Sequence, residues 1–135
     1  MRLQLALNVR DIDEAVDYYG KLFNAAPHKR RPGYANFAID EPPLKLVLME
    51  NPDAPERLNH LGVEVFDENK VSEAAERLDK AGILHTMEDK TICCHATQNK
   101  AWSHEPQGLR WEFYKITDDT PDGEPLLDPQ AAQSL

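Results

Sequence analysis

Apolar and other residues alternate at the start of the chain, and the apolar residues then recur at helical spacing. Residues 3–9 predict a strand with Gln4 on its polar face. The apolar face of this strand carries Leu3, Leu5, Leu7 and Val9. Asp11 or Asp13 can cap a helix, because apolar residues then follow every three or four positions up to Phe23.

Two more strands are predicted at residues 34–39 and 44–49, after a basic loop that ends at Pro32-Gly33. Residues 51–55 contain two prolines and are typical of a linker. The chain up to this point therefore predicts a strand, a helix and a group of strands.

The same pattern returns after the linker. A shift of 56 positions lays residues 60–67 over residues 4–11, and Asp67 takes the capping place of Asp11. A second helix is expected to stop at Gly82, which suits a helix C-terminus. Further strands are predicted at residues 83–87 and 109–114, on either side of a segment with two cysteines.

This repeat predicts an α+β fold with a strand, a helix and two or three strands in each half. The halves span about residues 1–50 and 58–116, and we expect them to pack as one pseudo-symmetric domain over residues 1–116. Residues 117–135 are acidic and contain prolines, so they are predicted to form a tail.

Length and charge narrow the class of protein. A chain of 135 residues suits one compact domain, and a net charge of −9 argues against nucleic acid or an anionic membrane as partner. The basic cluster at residues 28–31 is too short to change this. The sequence contains neither a stretch long enough to span a membrane nor a signal peptide, so we expect a cytoplasmic, reducing location.

The chain has two cysteines, Cys93 and Cys94, and they are adjacent. Consecutive Cα atoms lie about 3.8 Å apart, below the usual disulfide range of about 4.4 to 6.8 Å, so the pair is interpreted as two thiols. They are either a chelate for a soft ion or two small buried hydrophobes. Because strand alternation sends neighbours to opposite faces, chelation requires a turn or a bulge at this point.

The repeat also brings metal-ligating residue types to equivalent positions. The first and last strands of the two halves carry Gln4, His60, Val47 and Glu112 at matching places. An amide oxygen, an imidazole nitrogen and a carboxylate suit Fe(II), Mn(II), Ni(II) or Zn(II), with open positions left over. Taken singly, His60 and Glu112 also have structural explanations, and it is their joint placement that favours a metal site.

Residues 8–23 and 108–114, with the two-half layout, resemble the vicinal oxygen chelate superfamily, which includes glyoxalase I and extradiol dioxygenases. Residues 93–102 narrow the resemblance further. A cysteine pair followed at fixed distance by Lys100 and an aromatic residue is similar to the organoarsenical carbon-arsenic lyases and the related cadmium-induced proteins.

The resemblance implies two βαβββ modules and an Fe(II) site formed by Gln4, His60 and Glu112. Gln4 departs from the histidine that many members have at the first ligand. The resemblance further implies that Cys93 and Cys94 bind trivalent organoarsenicals and that Lys100 belongs to the same site. The activity it implies is cleavage of the carbon-arsenic bond with dioxygen, releasing arsenite.

Two other functions stay open at this point. The thiols can sequester cadmium or another heavy metal without turnover, or the chain is a dioxygenase or lyase of another kind within the superfamily, whose thiols merely pack. The ligand is in each case a small molecule or a soft metal ion. With two modules in one chain a monomer suffices, and a homodimer is the alternative.

Overall fold

The computed structural model describes residues 1–127. Its elements in chain order are β1 (Arg2–Val9), α1 (Ile12–Phe23), β2 (Lys29–Arg31), β3 (Tyr34–Ile39), β4 (Leu44–Glu50), β5 (Leu58–Glu64), α2 (Glu68–Lys80), β6 (His85–Cys93), β7 (Ala96–His104) and β8 (Arg110–Asp118). The last strand continues two residues into the predicted tail, and residues 128–135 of that tail lie outside the described residues.

The α+β class and the repeat are both confirmed. The chain divides into a first unit, Gln4–Asn59 with the described residues 125–127, and a second unit, His60–Glu124 with Met1–Leu3. The strands of the first half run in the order β1-β4-β3-β2, and those of the second in the order β5-β8-β7-β6. Each half is therefore a βαβββ module with the same topology. Within residues 1–127, neither helix has the length and apolarity needed to cross a membrane.

Both helices begin at the aspartates expected to cap them. The Asp11 side chain accepts a hydrogen bond from the backbone N–H of Glu14 at 3.1 Å, and Asp67 accepts one from Asn69 at 2.9 Å. The α2 helix ends at Lys80, and Gly82 follows with a φ of 69°, in the left-handed region that glycine adopts at low cost.

In each unit one face of the strands packs on a helix. The buried core of the first unit contains Ile12, Ala35, Phe37, Ile39, Leu46 and Leu48. In the second unit Val65, Val71 and Ala101 are buried together, with Val63, Ala75 and Phe113 against them. Because side chains alternate along a strand, the neighbours of Ala101 and Phe113 point away from α2. That opposite face carries the polar residues considered below.

Two predictions of detail were wrong. The basic segment predicted as a loop contains the short strand β2, which pairs with β3. The strand predicted at residues 83–87 instead runs from His85 to Cys93. Three consecutive charged residues in its middle, Glu88, Asp89 and Lys90, hid it, because such residues are depleted in strands. An irregularity between Glu88 and Thr91 interrupts the pairing there, and the side chain of Asn99 accepts a hydrogen bond from the Lys90 N–H at 2.7 Å.

The cap of α2 offers a test of this fold. Asp67→Ala should lower the free energy of unfolding by about 1 kcal/mol, because the Asn69 N–H loses its acceptor. Urea unfolding followed by circular dichroism measures the change. Glu76→Ala, at an exposed position of the same helix, is the control and should stay close to the wild-type midpoint.

Candidate active site

The two cysteines lie at the tip of a β-hairpin. Cys93 ends β6 and pairs with Ala96, the first residue of β7, so Cys94 and His95 form a two-residue turn. Both turn residues have positive φ, 53° and 63°, as a type I′ hairpin turn requires. Cys94 thus leaves the alternation of the strand, and the two Sγ atoms lie 3.5 Å apart. This is the turned segment that chelation by neighbouring cysteines requires.

The two thiols have very different acidities. Chiefly because the Cys94 thiol donates a hydrogen bond to the Cys93 sulfur, and also because Lys100 is positively charged, the pKa of Cys93 is lowered to about 6, although burial opposes the shift. The same hydrogen bond and burial raise the pKa of Cys94 above the ordinary thiol value. At neutral pH the pair therefore holds one thiolate and one thiol. A thiolate is the form that attacks soft electrophiles and binds soft metals.

Lys100 interacts with both the Cys93 thiolate and the Glu112 carboxylate. It lies on β7, almost fully buried at 1% exposure, and its Nζ donates to Oε2 of Glu112 at 3.0 Å. The ammonium also lies 5.1 Å from the ring centroid of Trp102, within the range of a cation–π interaction. Burial alone would lower the pKa of Lys100, but the negative charges of Glu112 and Cys93 outweigh it and raise the pKa. Lys100 is therefore a fixed positive charge beside both anions.

Glu112 and His60 provide the two candidate metal ligands of the second unit. They lie on the paired strands β8 and β5, and the Nε2 of His60 is 3.7 Å from Oε1 of Glu112. Burial opposes ionisation of Glu112, but its interactions with His60 and Lys100 prevail and lower its pKa. The carboxylate is thus charged at neutral pH. The His60 ring also meets Trp102 edge-to-face, with centroids 5.1 Å apart.

This donor pair fits a divalent metal ion. An imidazole nitrogen and an ionised carboxylate already converge, and both are held in place by neighbouring side chains. In the described part of the chain, no three His, Cys, Asp or Glu side chains cluster in a way that could hold an ion. A third protein ligand would therefore be of another type. Gln4, the amide predicted for this role, is buried on β1 in the first unit, and its role stays a prediction.

Sequence reasoning missed one residue beside the thiols. Gln98 is buried on β7, and its Nε2 donates to the backbone carbonyl of Cys93 at 2.7 Å. The period of two along a strand places it on the same face as Lys100 and Trp102. Strand alternation could have placed Gln98 on this face from the sequence, but only if the first residue of β7 had been known.

The acidity of Cys93 can be tested by removing its hydrogen-bond donor. In the wild type, alkylation of Cys93 by iodoacetamide should rise with pH around a midpoint near pH 6. Cys94→Ala should move this midpoint upward, because the thiolate loses the donor that contributes most to the lowered pKa. Cys94→Ser keeps a hydroxyl donor and should shift it less. The alkylation rates are measured by mass spectrometry from pH 5 to 10. Equal midpoints in all three proteins would contradict the role of Cys94 as the donor that lowers the pKa of Cys93.

Comparison with known proteins shows the family of the chain. Residues 3–113 match the model of the Glyoxalase/Bleomycin resistance protein/Dioxygenase superfamily. The cadmium-induced protein CadI of Mycobacterium tuberculosis is 55% identical over 119 residues, covering 88% of this chain and 78% of the relative. A trivalent organoarsenical cleaving enzyme of Thermomonospora curvata is 50% identical over 119 residues, covering 87% and 79%.

A solved structure shows the same fold at low sequence identity. Homoprotocatechuate 2,3-dioxygenase from Brevibacterium fuscum superposes with a TM-score of 0.64 at 13% identity, covering 98% of this chain and 39% of that one. The fold, the family model and the relatives lead to one assignment. The chain belongs to the glyoxalase/bleomycin resistance protein/dioxygenase superfamily, the group predicted from its two-half layout and from residues 8–23 and 108–114.

Proposed function

We propose that this chain is an Fe(II)- and dioxygen-dependent lyase that cleaves the carbon-arsenic bond of trivalent organoarsenicals and releases arsenite. The observation that carries the proposal is the pair of sulfurs 3.5 Å apart on a turn, next to a lysine that is bonded to the candidate metal ligand Glu112. The name of the Thermomonospora curvata relative, a trivalent organoarsenical cleaving enzyme, supports this substrate class.

The thiol pair suits capture of the substrate. A trivalent organoarsenical in water carries one carbon substituent and two hydroxyl groups on arsenic. The Cys93 thiolate displaces one hydroxyl and Cys94 the other, so two As–S bonds form and two As–O bonds break. The Cys94 proton leaves with one oxygen as water, and the second oxygen leaves as hydroxide, which takes a proton from solvent. The carbon substituent stays on arsenic.

The metal site would be formed by His60, Glu112 and Gln4. Fe(II) would supply the activation of dioxygen that cleavage of the carbon-arsenic bond requires, and Mn(II), Ni(II) and Zn(II) are the other ions that this donor set suits. Lys100 holds Glu112 through Oε2 and so orients its carboxylate. For a methyl arsenical, one oxygen atom of dioxygen would leave with the carbon as formaldehyde, and the other would stay on arsenic as a hydroxyl group. Two water molecules would then hydrolyse the two As–S bonds, which frees arsenite and returns both thiols. A reducing cytoplasm would keep those thiols available.

Arsenite release tests the proposal. Protein loaded with Fe(II) without oxygen, mixed with a trivalent methyl or phenyl arsenical and then exposed to air, should release arsenite. Cys93→Ser and Cys94→Ser should each abolish release while iron content stays unchanged. Removing a residue that only supports a metal ligand typically lowers metal affinity by about 10- to 100-fold. Glu112→Gln alters a candidate ligand itself, so it should lower the affinity for iron by more than that.

Glu73→Gln is the matched control for the carboxylate, because Glu73 is exposed on α2. It should retain wild-type iron content and activity. An iron-loaded wild-type protein that repeatedly releases no arsenite in air would overturn the proposal.

Sequestration of cadmium is the second candidate function. The 55% identical relative is named a cadmium-induced protein, and a thiolate beside a thiol suits a soft ion. Under this function, one cadmium ion should bind per chain, survive Glu112→Ala and be lost in Cys94→Ala. Equilibrium dialysis measures the binding. Arsenite release by the same preparation would decide for the lyase.

A further inference from the structure

Gln98 is buried at 4% exposure, yet only one end of its side-chain amide is used. Nε2 donates to the Cys93 carbonyl, whereas Oε1 is buried and has no hydrogen-bond partner among residues 1–127. A buried polar atom without a partner lowers stability, so such atoms are few in folded proteins and call for an explanation. At this position the Nε2 donor makes its hydrogen bond, whereas the Oε1 acceptor is left without one.

The carbonyl that Gln98 holds belongs to the residue just before the turn. Cys94 and His95 both adopt left-handed backbone angles without being glycine. Such conformations persist only where surrounding contacts impose them, and they are concentrated at ligand clamps. The pairing of β7 with β8 shifts register between Thr97 and Gln98, and a shift of this kind re-aims a side chain. Here it accompanies a Gln98 side chain that reaches back to the turn.

We propose that Gln98 is the positioning residue of the thiol pair: by holding the Cys93 carbonyl it fixes the turn that keeps both sulfurs on one side, ready for two-point capture. This inference rests on the proposed capture of a trivalent arsenical by Cys93 and Cys94. Without the amide donor the left-handed turn relaxes, and the sulfurs separate in the free protein. Capture by two sulfurs then requires the turn to be re-formed, which weakens binding.

Gln98→Met, close in shape and without a donor, tests the proposal. Its matched control is Asn99→Leu, because Asn99 also makes a side-chain to backbone hydrogen bond within this hairpin, but to Lys90 and away from the turn. Two probes separate the effects. Phenylarsine oxide requires both sulfurs, whereas p-mercuribenzoate requires one. Affinities are measured without oxygen, by competition with 2,3-dimercaptopropanol for the first probe and with a monothiol for the second.

Gln98→Met should bind phenylarsine oxide about 10- to 100-fold more weakly, the range found when a residue that orients a ligand is removed. Its affinity for p-mercuribenzoate should be unchanged, and Asn99→Leu should match the wild type with both probes. If Gln98→Met does not fold, Gln98→Leu is the second variant, because leucine also lacks the donor and carries the same prediction.

Three results would overturn the inference. They are wild-type affinity for phenylarsine oxide in the Gln98 variant, an equal loss in Asn99→Leu, or an equal loss with both probes. A wild-type protein that does not bind phenylarsine oxide through two thiols would remove the proposed capture itself, and this inference with it. That failure is distinct from the other three because it is seen before any variant is made.

Discussion

The buried ion pair between Lys100 and Glu112 is the interaction on which the site depends. Both side chains are almost completely buried, and their charged atoms lie 3.0 Å apart. Removing one partner of such a pair typically destabilises a protein by about 3 to 5 kcal/mol, because the other charge is left buried alone. The pair also joins neighbouring strands, since Lys100 lies on β7 and Glu112 on β8. This contact thus links the side chains of two paired strands and orients a candidate metal ligand.

The Lys100 ammonium also neutralises part of the negative charge of the site. Lys100 carries one positive charge, whereas the Cys93 thiolate and the Glu112 carboxylate carry one negative charge each. The group as a whole is negative by one charge and lies on the face of the sheet turned away from α2. A buried negative site attracts a cation, and its two anions differ in softness. A soft arsenic or cadmium centre would prefer the thiolate, and a borderline metal ion the carboxylate with His60.

The sequence predicted the fold well because its signals repeat. Helical spacing and a capping aspartate each occur twice, with the two caps 56 positions apart, so one half supports the other. Local features without a repeat were harder to predict. Strand β2 is short and basic, and the middle of β6 carries three consecutive charged residues, Glu88, Asp89 and Lys90, of types that are depleted in strands. His60 and Glu112 were predicted from the repeat, but Gln98 was not, because its partner is a backbone carbonyl that no residue type reveals.

The hairpin turn shows why a functional site can defeat prediction from residue type. A two-residue turn of this kind favours Asn-Gly or Gly-Gly, and Cys94-His95 fits neither. Each left-handed residue that is not glycine costs about 1 to 3 kcal/mol. A glycine in place of Cys94 would relieve that strain but remove a sulfur. Two consecutive residues in an extended strand face opposite sides, so a strained turn after Cys93 lets two neighbouring thiols reach the same ion. The departure from ordinary turn chemistry is therefore itself a mark of the site.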